Sequence, residues 1–196
     1  MRFSKSLASA LALVACLLAC LLACLLVGCG ALAQQEPGSL SVRAAHMAGT
    51  ADAPVLELAL DCRLSGPMQD ALDHGIPLTF RVRVDAARWR FLPSDARAEQ
   101  RIELRYFPLS RRYQLRDLDA GADVRSFATP AYLLAGLNSL RLPLPAKFTA
   151  LPRGATVRVD AALETGALPG ALRLPALFEP AWQLSSAEYA WQPAAG

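Results

Sequence analysis

The side chains with the greatest reactive potential are few: His46, His74, Cys62, a set of arginines, and scattered carboxylates. His74 stands in Asp73-His74-Gly75, and a carboxylate beside an imidazole is the smallest pair that can do general acid–base work. The same tripeptide also reads as a helix end, where a polar or cationic side chain serves the free carbonyls and the dipole. The helix-end role is preferred. His46 follows an opening strand and has no evident partner in the sequence. Two histidines and one cysteine without close spacing do not make a zinc set. Neither G-x-S-x-G nor G-x-x-x-x-G-K occurs. Asp117, Asp119 and Asp123 surround a glycine turn but lack the terminal glutamate of a calcium loop, so a solvated acidic turn is expected. Cys62 alternates with leucines and reads as a buried, inert thiol. No cofactor and no metal is expected, and no catalytic residue is assigned.

Arginine supplies 18 of the 20 basic residues. Arg81, Arg83, Arg101, Arg105, Arg111, Arg112 and Arg116 would make a basic stripe for phosphates or anionic headgroups. Glu57, Asp61, Asp85, Glu99, Glu103 and Asp117 take comparable positions, however, so cross-strand ion pairing is the preferred expectation. Trp89, Phe91, Tyr106, Phe107 and Tyr113 offer an aromatic surface on one reading and core or sheet-end plugs on the preferred one.

The elements that position these groups are strands. Strict apolar–polar alternation marks Val55–Leu64, Leu78–Asp85, Gln100–Phe107, Arg112–Leu118 and Val157–Glu164 as half-buried strands. A shorter strand opens the domain at Leu40, Val42 and Ala44, and Trp182 to Trp191 suggests a closing one. Pro108-Leu109-Ser110-Arg111 joins two arms of a hairpin, since proline donates nothing to a ladder. Two short helices are predicted. One is capped by Ser65, with Pro67 in its first turn and a stop at Gly75; the other starts at Thr129-Pro130. The stretches 143–154 and 165–180 read as loops. The fold class is therefore mainly β: a single antiparallel sandwich or partly closed barrel of seven or eight strands, with two short helices.

Of the chain's 196 residues, 54% are hydrophobic, but the apolar share is concentrated at one end. The first 33 residues contain no acid, and Leu7 to Val27 is apolar apart from Ser9. Residues 34–39 read as a linker, 40–192 as the domain and 193–196 as a tail. The domain is nearly neutral and about half apolar, which excludes a polytopic membrane protein, a disordered tail and a basic nucleic-acid binder. Three readings of the leader stay open. Leu26-Val27-Gly28-Cys29 fits a lipoprotein signal with lipid attached at Cys29. Ala31-Leu32-Ala33 fits ordinary cleavage after Ala33. An uncleaved anchor, with Arg2 and Lys5 on the cytoplasmic side, is the third. Cys16, Cys20 and Cys24 repeat the local pattern, but only Cys29 leads into polar residues. Each reading places the domain in the periplasm or at the periplasmic face of a membrane. With Cys62 the sole cysteine after the leader, no disulfide can form within the domain.

Three segments are familiar: Ala71-Leu72-Asp73-His74-Gly75-Ile76-Pro77-Leu78-Thr79-Phe80, Glu103-Leu104-Arg105-Tyr106-Phe107-Pro108-Leu109-Ser110-Arg111-Arg112-Tyr113, and Trp182-Gln183-Leu184-Ser185-Ser186 with Trp191. In these, the sequence resembles an uncharacterised proteobacterial exported family, domain of unknown function 4390. The resemblance implies a periplasmic or membrane-attached protein encoded near a two-component sensor kinase, hence by analogy an accessory to envelope sensing. It brings no activity and no site residues.

The expected function is a non-enzymatic binding or accessory module of the cell envelope. Its expected partner is a protein, with the membrane reached through the leader or a lipid. The candidate recognition surface is Ser110, Arg111, Arg112 and Tyr113, because loops on rigid sheets commonly carry function. The alternatives are a periplasmic hydrolase or transferase using Asp73/His74 or the Arg111/Arg112 hairpin, and a lipid-binding barrel.

Overall fold

A computed structural model describes residues 37–50, 52–89, 94–121 and 124–193. Cys29, Phe91, Asp123 and the leader lie outside the described residues. Among the described residues nine strands form two antiparallel sheets. The smaller has the order β1-β2-β7, from β1 (Ser39–Gly49), β2 (Pro54–Arg63) and β7 (Leu140–Pro143). The larger has the order β6-β5-β4-β3-β8-β9. Its strands are β3 (Leu78–Ala87), β4 (Ala96–Phe107), β5 (Arg112–Asp117), β6 (Val124–Phe127), β8 (Thr156–Leu163) and β9 (Tyr189–Trp191). The sheets stay separate and do not close into a barrel.

The inward residues of the two sheets build one core. Leu56 and Leu60 of β2 join Phe80, Val82 and Val84 of β3, Ile102 and Leu104 of β4, and Val157, Val159 and Ala161 of β8, all with no exposed surface. Burying a side chain of the Leu, Val or Phe kind contributes about 1.5–3 kcal/mol. This packing fills the space that a lipid-carrying barrel would keep open.

β1 is longer than its alternation suggests because it contains a bulge. Its register against β2 shifts between Val42 and Ala44, so the inward set changes from Leu40 and Val42 to Ala45 and Met47. Gln100 lies on the inward face of β4 and donates from Nε2 to the Pro143 carbonyl at 2.6 Å, linking the sheets.

The first helix, α1 (Gly66–Asp73), begins without the predicted serine cap. Pro67 has no N–H to offer in the first turn, and the Ser65 hydroxyl instead donates to the Ala181 carbonyl at 2.7 Å. Its end follows the sequence expectation. Gly75 takes φ 80°, its N–H donates to the Leu72 carbonyl, and the Ile76 N–H donates to the Ala71 carbonyl, a Schellman end. The second helix, α2 (Pro130–Gly136), starts where predicted, with Thr129 Oγ1 accepting the Tyr132 N–H at 3.3 Å. A third helix, α3 (Gly170–Phe178), occupies a stretch expected to be loop. The predicted closing strand shortens to β9, preceded by a 3-10 turn at Pro180–Trp182. Ser186 still follows β8: its Oγ accepts the Ala161 N–H at 2.9 Å. Among the described residues, no helix is long and apolar enough to cross a membrane.

Candidate functional site

The chain enters β1, leaves β2, enters β3, turns between β4 and β5, and leaves β8 at one end of the sandwich. The β4–β5 tip stands there. Phe107 pairs with Arg112 across the last rung, and Pro108 to Arg111 close the turn, with the Arg111 N–H donating to the Pro108 carbonyl at 3.3 Å. Ser110 Oγ donates to the Phe107 carbonyl at 3.4 Å, so this serine ties its own turn. Arg111 has φ 51°, the one positive value outside glycine among the described residues. Leu109, at 104% relative exposure, buries nothing.

The two faces of the hairpin divide its chemistry. On the outer face the Arg105 guanidinium lies 5.0 Å from the Phe107 ring centre, and Arg112 stands opposite Phe107. Among the described residues neither Arg111 nor Arg112 is in an ion pair. On the inner face Tyr113 is buried, packs its ring 4.6 Å from that of Tyr106, and donates from its hydroxyl to Asp73 Oδ1 at 2.7 Å. Burial first, then the bond to Asp73, pushes the Tyr113 phenol up to about 12. Tyr113 thus positions the hairpin against the end of α1, while Arg111 and Arg112 face solvent.

The Asp73/His74 pair is divided by its partners. His74 is exposed, and its Nδ1 donates to the Asp70 carbonyl at 2.6 Å, the helix-end role, whereas Asp73 accepts from Tyr113. His74 borders a shallow groove of about 410 Å³ between α1 and α3, with Pro67, Ile76, Leu172 and Pro175.

His46 does have a partner, which the sequence did not reveal because the bulge hides the register of β1. It lies directly opposite Glu57, which lies opposite Arg141. His46 Nε2 is 2.8 Å and Arg141 3.3 Å from the Glu57 carboxylate. Asp117 and Asp119 are engaged in the fold and are not simply solvated. Asp117 is buried and accepts the N–H groups of Asp119 and Ala120, both at 2.9 Å. Asp119 accepts from the Arg101 side chain at 2.9 Å and from its backbone N–H at 2.7 Å, which holds its carboxyl below the usual range. Cys62 is buried, and burial pushes its thiol up to about 12. Among the described residues no three His, Cys, Asp or Glu side chains are grouped to hold a metal ion.

The arginine stripe is largely interleaved with acids. Arg83 lies between Glu99 and Asp160, Asp85 between Arg97 and Arg158, and Arg116 opposite Glu103. Arg97 reaches Asp85 at 2.6 Å, but Arg81 faces Arg101. The aromatic residues do not share one surface: Trp89 is 63% exposed beyond the opposite end of β3, away from the hairpin. That far end also holds a cleft of about 680 Å³ lined by Met47, Thr50, Phe148, Leu151 and Arg153. It brings together no pair of groups suited to acid–base or nucleophilic work.

One family model, described as Domain of unknown function (DUF4390), matches residues 38–192. No curated protein and no solved structure matches the chain.

Proposed function

We propose that this chain, which belongs to the family described as Domain of unknown function (DUF4390), is a non-enzymatic binding or accessory module of the cell envelope. It engages a protein partner through the β4–β5 tip. The observation that carries this reading is Arg111 in a left-handed backbone at the solvent-facing tip. Strain of this kind costs on the order of 1–3 kcal/mol and tends to persist where function needs it. Beside it stand the exposed Leu109 and Arg112, an apolar contact next to guanidinium donors, on a rung braced by Tyr113 and Asp73. Exposed loops on a rigid sheet suit recognition, and an acidic partner surface suits these arginines.

The leader supports export and retention at a membrane, by lipid on Cys29 in the preferred reading. Labelling with a lipid precursor tests it: incorporation in the wild type and none in Cys29→Ala is expected, and an unlabelled wild type removes lipid attachment. The binding role is tested by a photocrosslinking residue at Leu109 in intact cells. One discrete adduct is expected, lost in Arg111→Ala/Arg112→Ala. No adduct under conditions that recover a known envelope complex overturns the reading.

A further inference from the structure

The helix α3 is apolar on two sides. Ala176 is buried and Leu172 packs against the core, as does the preceding Leu168. On the opposite side Leu174, Leu177 and Phe178 are 67%, 57% and 80% exposed. Their spacing of three and four residues sets them in one stripe. A surface helix normally turns polar residues outward, and a grouped apolar patch on a folded domain marks a contact surface.

The position of the stripe indicates what covers it. The 3-10 turn at Pro180–Trp182 follows α3 almost directly, and its Ala181 carbonyl receives the Ser65 hydroxyl. Gly38, near the start of the described chain, packs so closely on Arg63, Ser65 and Leu184 that an added Cβ would come within 2.8 Å of the Arg63 carbonyl. The chain therefore enters the domain beside the segment that ends α3. Upstream, only residues 28–36 separate the apolar run ending at Val27 from Pro37. Nine residues reach at most roughly 30 Å. A bilayer that receives the apolar run, or that holds a lipid on Cys29, is within reach of the end of the domain that carries α3.

We propose that the outer stripe of α3 docks on the lipid bilayer, with Leu174, Leu177 and Phe178 entering the boundary between headgroups and acyl chains. Side chains of a surface-lying helix bury themselves roughly 5–10 Å into that boundary. Docking would fix the orientation of the sandwich at the membrane and turn its entry end, with the hairpin, towards the lipid surface. The inference rests on the reading of the leader as membrane-directing, but does not need a protein partner.

The test uses the full chain reconstituted into vesicles of zwitterionic and anionic phospholipid, with lipids brominated high on the acyl chain as a contact quencher. Flotation of the chain with the vesicles reports on the leader. The fluorescence that Phe178→Trp adds over the wild type reports on α3. The expected result is a floating chain whose added tryptophan emission is quenched by the brominated lipid, with that quenching lost in Phe178→Trp carrying Leu174→Asp and Leu177→Asp. A chain that floats without quenching of the added tryptophan overturns docking while leaving the leader reading intact. Quenching that survives the two aspartates also overturns docking. A chain that does not float overturns the inference at its premise. If the added tryptophan is unquenched by lipid and a photocrosslinker at Leu177 joins the chain to another protein, the stripe is a protein interface and the bilayer is excluded as its occupant.

Discussion

At Arg111 a residue with a Cβ holds a left-handed backbone conformation that costs roughly 1–2 kcal/mol and that glycine adopts freely. Arg111→Gly relieves that strain and loosens the unfolded chain, so a net gain of about 0.5–1 kcal/mol in denaturant unfolding is expected. A gain in stability together with a loss of the Leu109 adduct would separate the fold's requirement from the partner's. Tyr113 gives a second prediction. Tyr113→Phe leaves the ring packed on Tyr106 and removes the bond to Asp73, for an expected loss of about 1 kcal/mol. The phenol is raised in the fold from 10 to about 12, so the unfolded chain gives up this proton first. Its contribution is therefore complete below pH 10 and is lost as pH rises towards 12. Unfolding curves across that window should converge for wild type and Tyr113→Phe.

Among the elements, α2 depends on its first turn. Thr129→Ala removes the acceptor of the Tyr132 N–H and should cost about 1 kcal/mol, seen as a lower midpoint with an unchanged slope in urea. The elements that could be read in the sequence were those whose pattern follows from burial on one face. The alternating strands β2, β3, β4, β5 and β8 appear within a few residues of their expected bounds. The end of α1 was equally plain, since Gly75 supplies the positive φ that a Schellman end needs. β6 and β7 have four residues each, too few for alternation to show. α3 was hidden by Pro175 and by apolar residues on two sides, which give neither helical contrast nor strand alternation. The hairpin tip could be located from Pro108, but the positive φ of Arg111 has no signal in the residue type, and the bond from Tyr113 to Asp73 joins side chains 40 residues apart.

For the molecule as a whole, the two sheets are held by an apolar core that Gln100 crosses with a polar contact. Gln100 donates to Pro143, yet its Oε1 is buried without a partner among the described residues. An unpaired buried acceptor costs about 1–3 kcal/mol. Gln100→Leu removes that oxygen at similar volume, and Pro143 itself is an exposed residue. Its stability should stay within about 1 kcal/mol of the wild type or rise. Gln100→Ala also opens a void, and should fall below Gln100→Leu by about 1–2 kcal/mol in the same denaturant series.

Cys62 carries a further consequence. It sits on β2 directly opposite Leu40 of β1, shut inside the sandwich with its thiol raised to about 12. Only the thiolate reacts, and burial favours the neutral thiol, so the closed molecule offers little of the reactive form at pH 8 even before access is considered. Exposure requires the first two strands to part. In a chain whose leader cysteines are replaced by serine, the rate at which a thiol reagent captures Cys62 becomes a clock for that parting. Its dependence on denaturant would distinguish breathing of the β1–β2 pair, which exposes little surface, from escape of the whole molecule to the unfolded state.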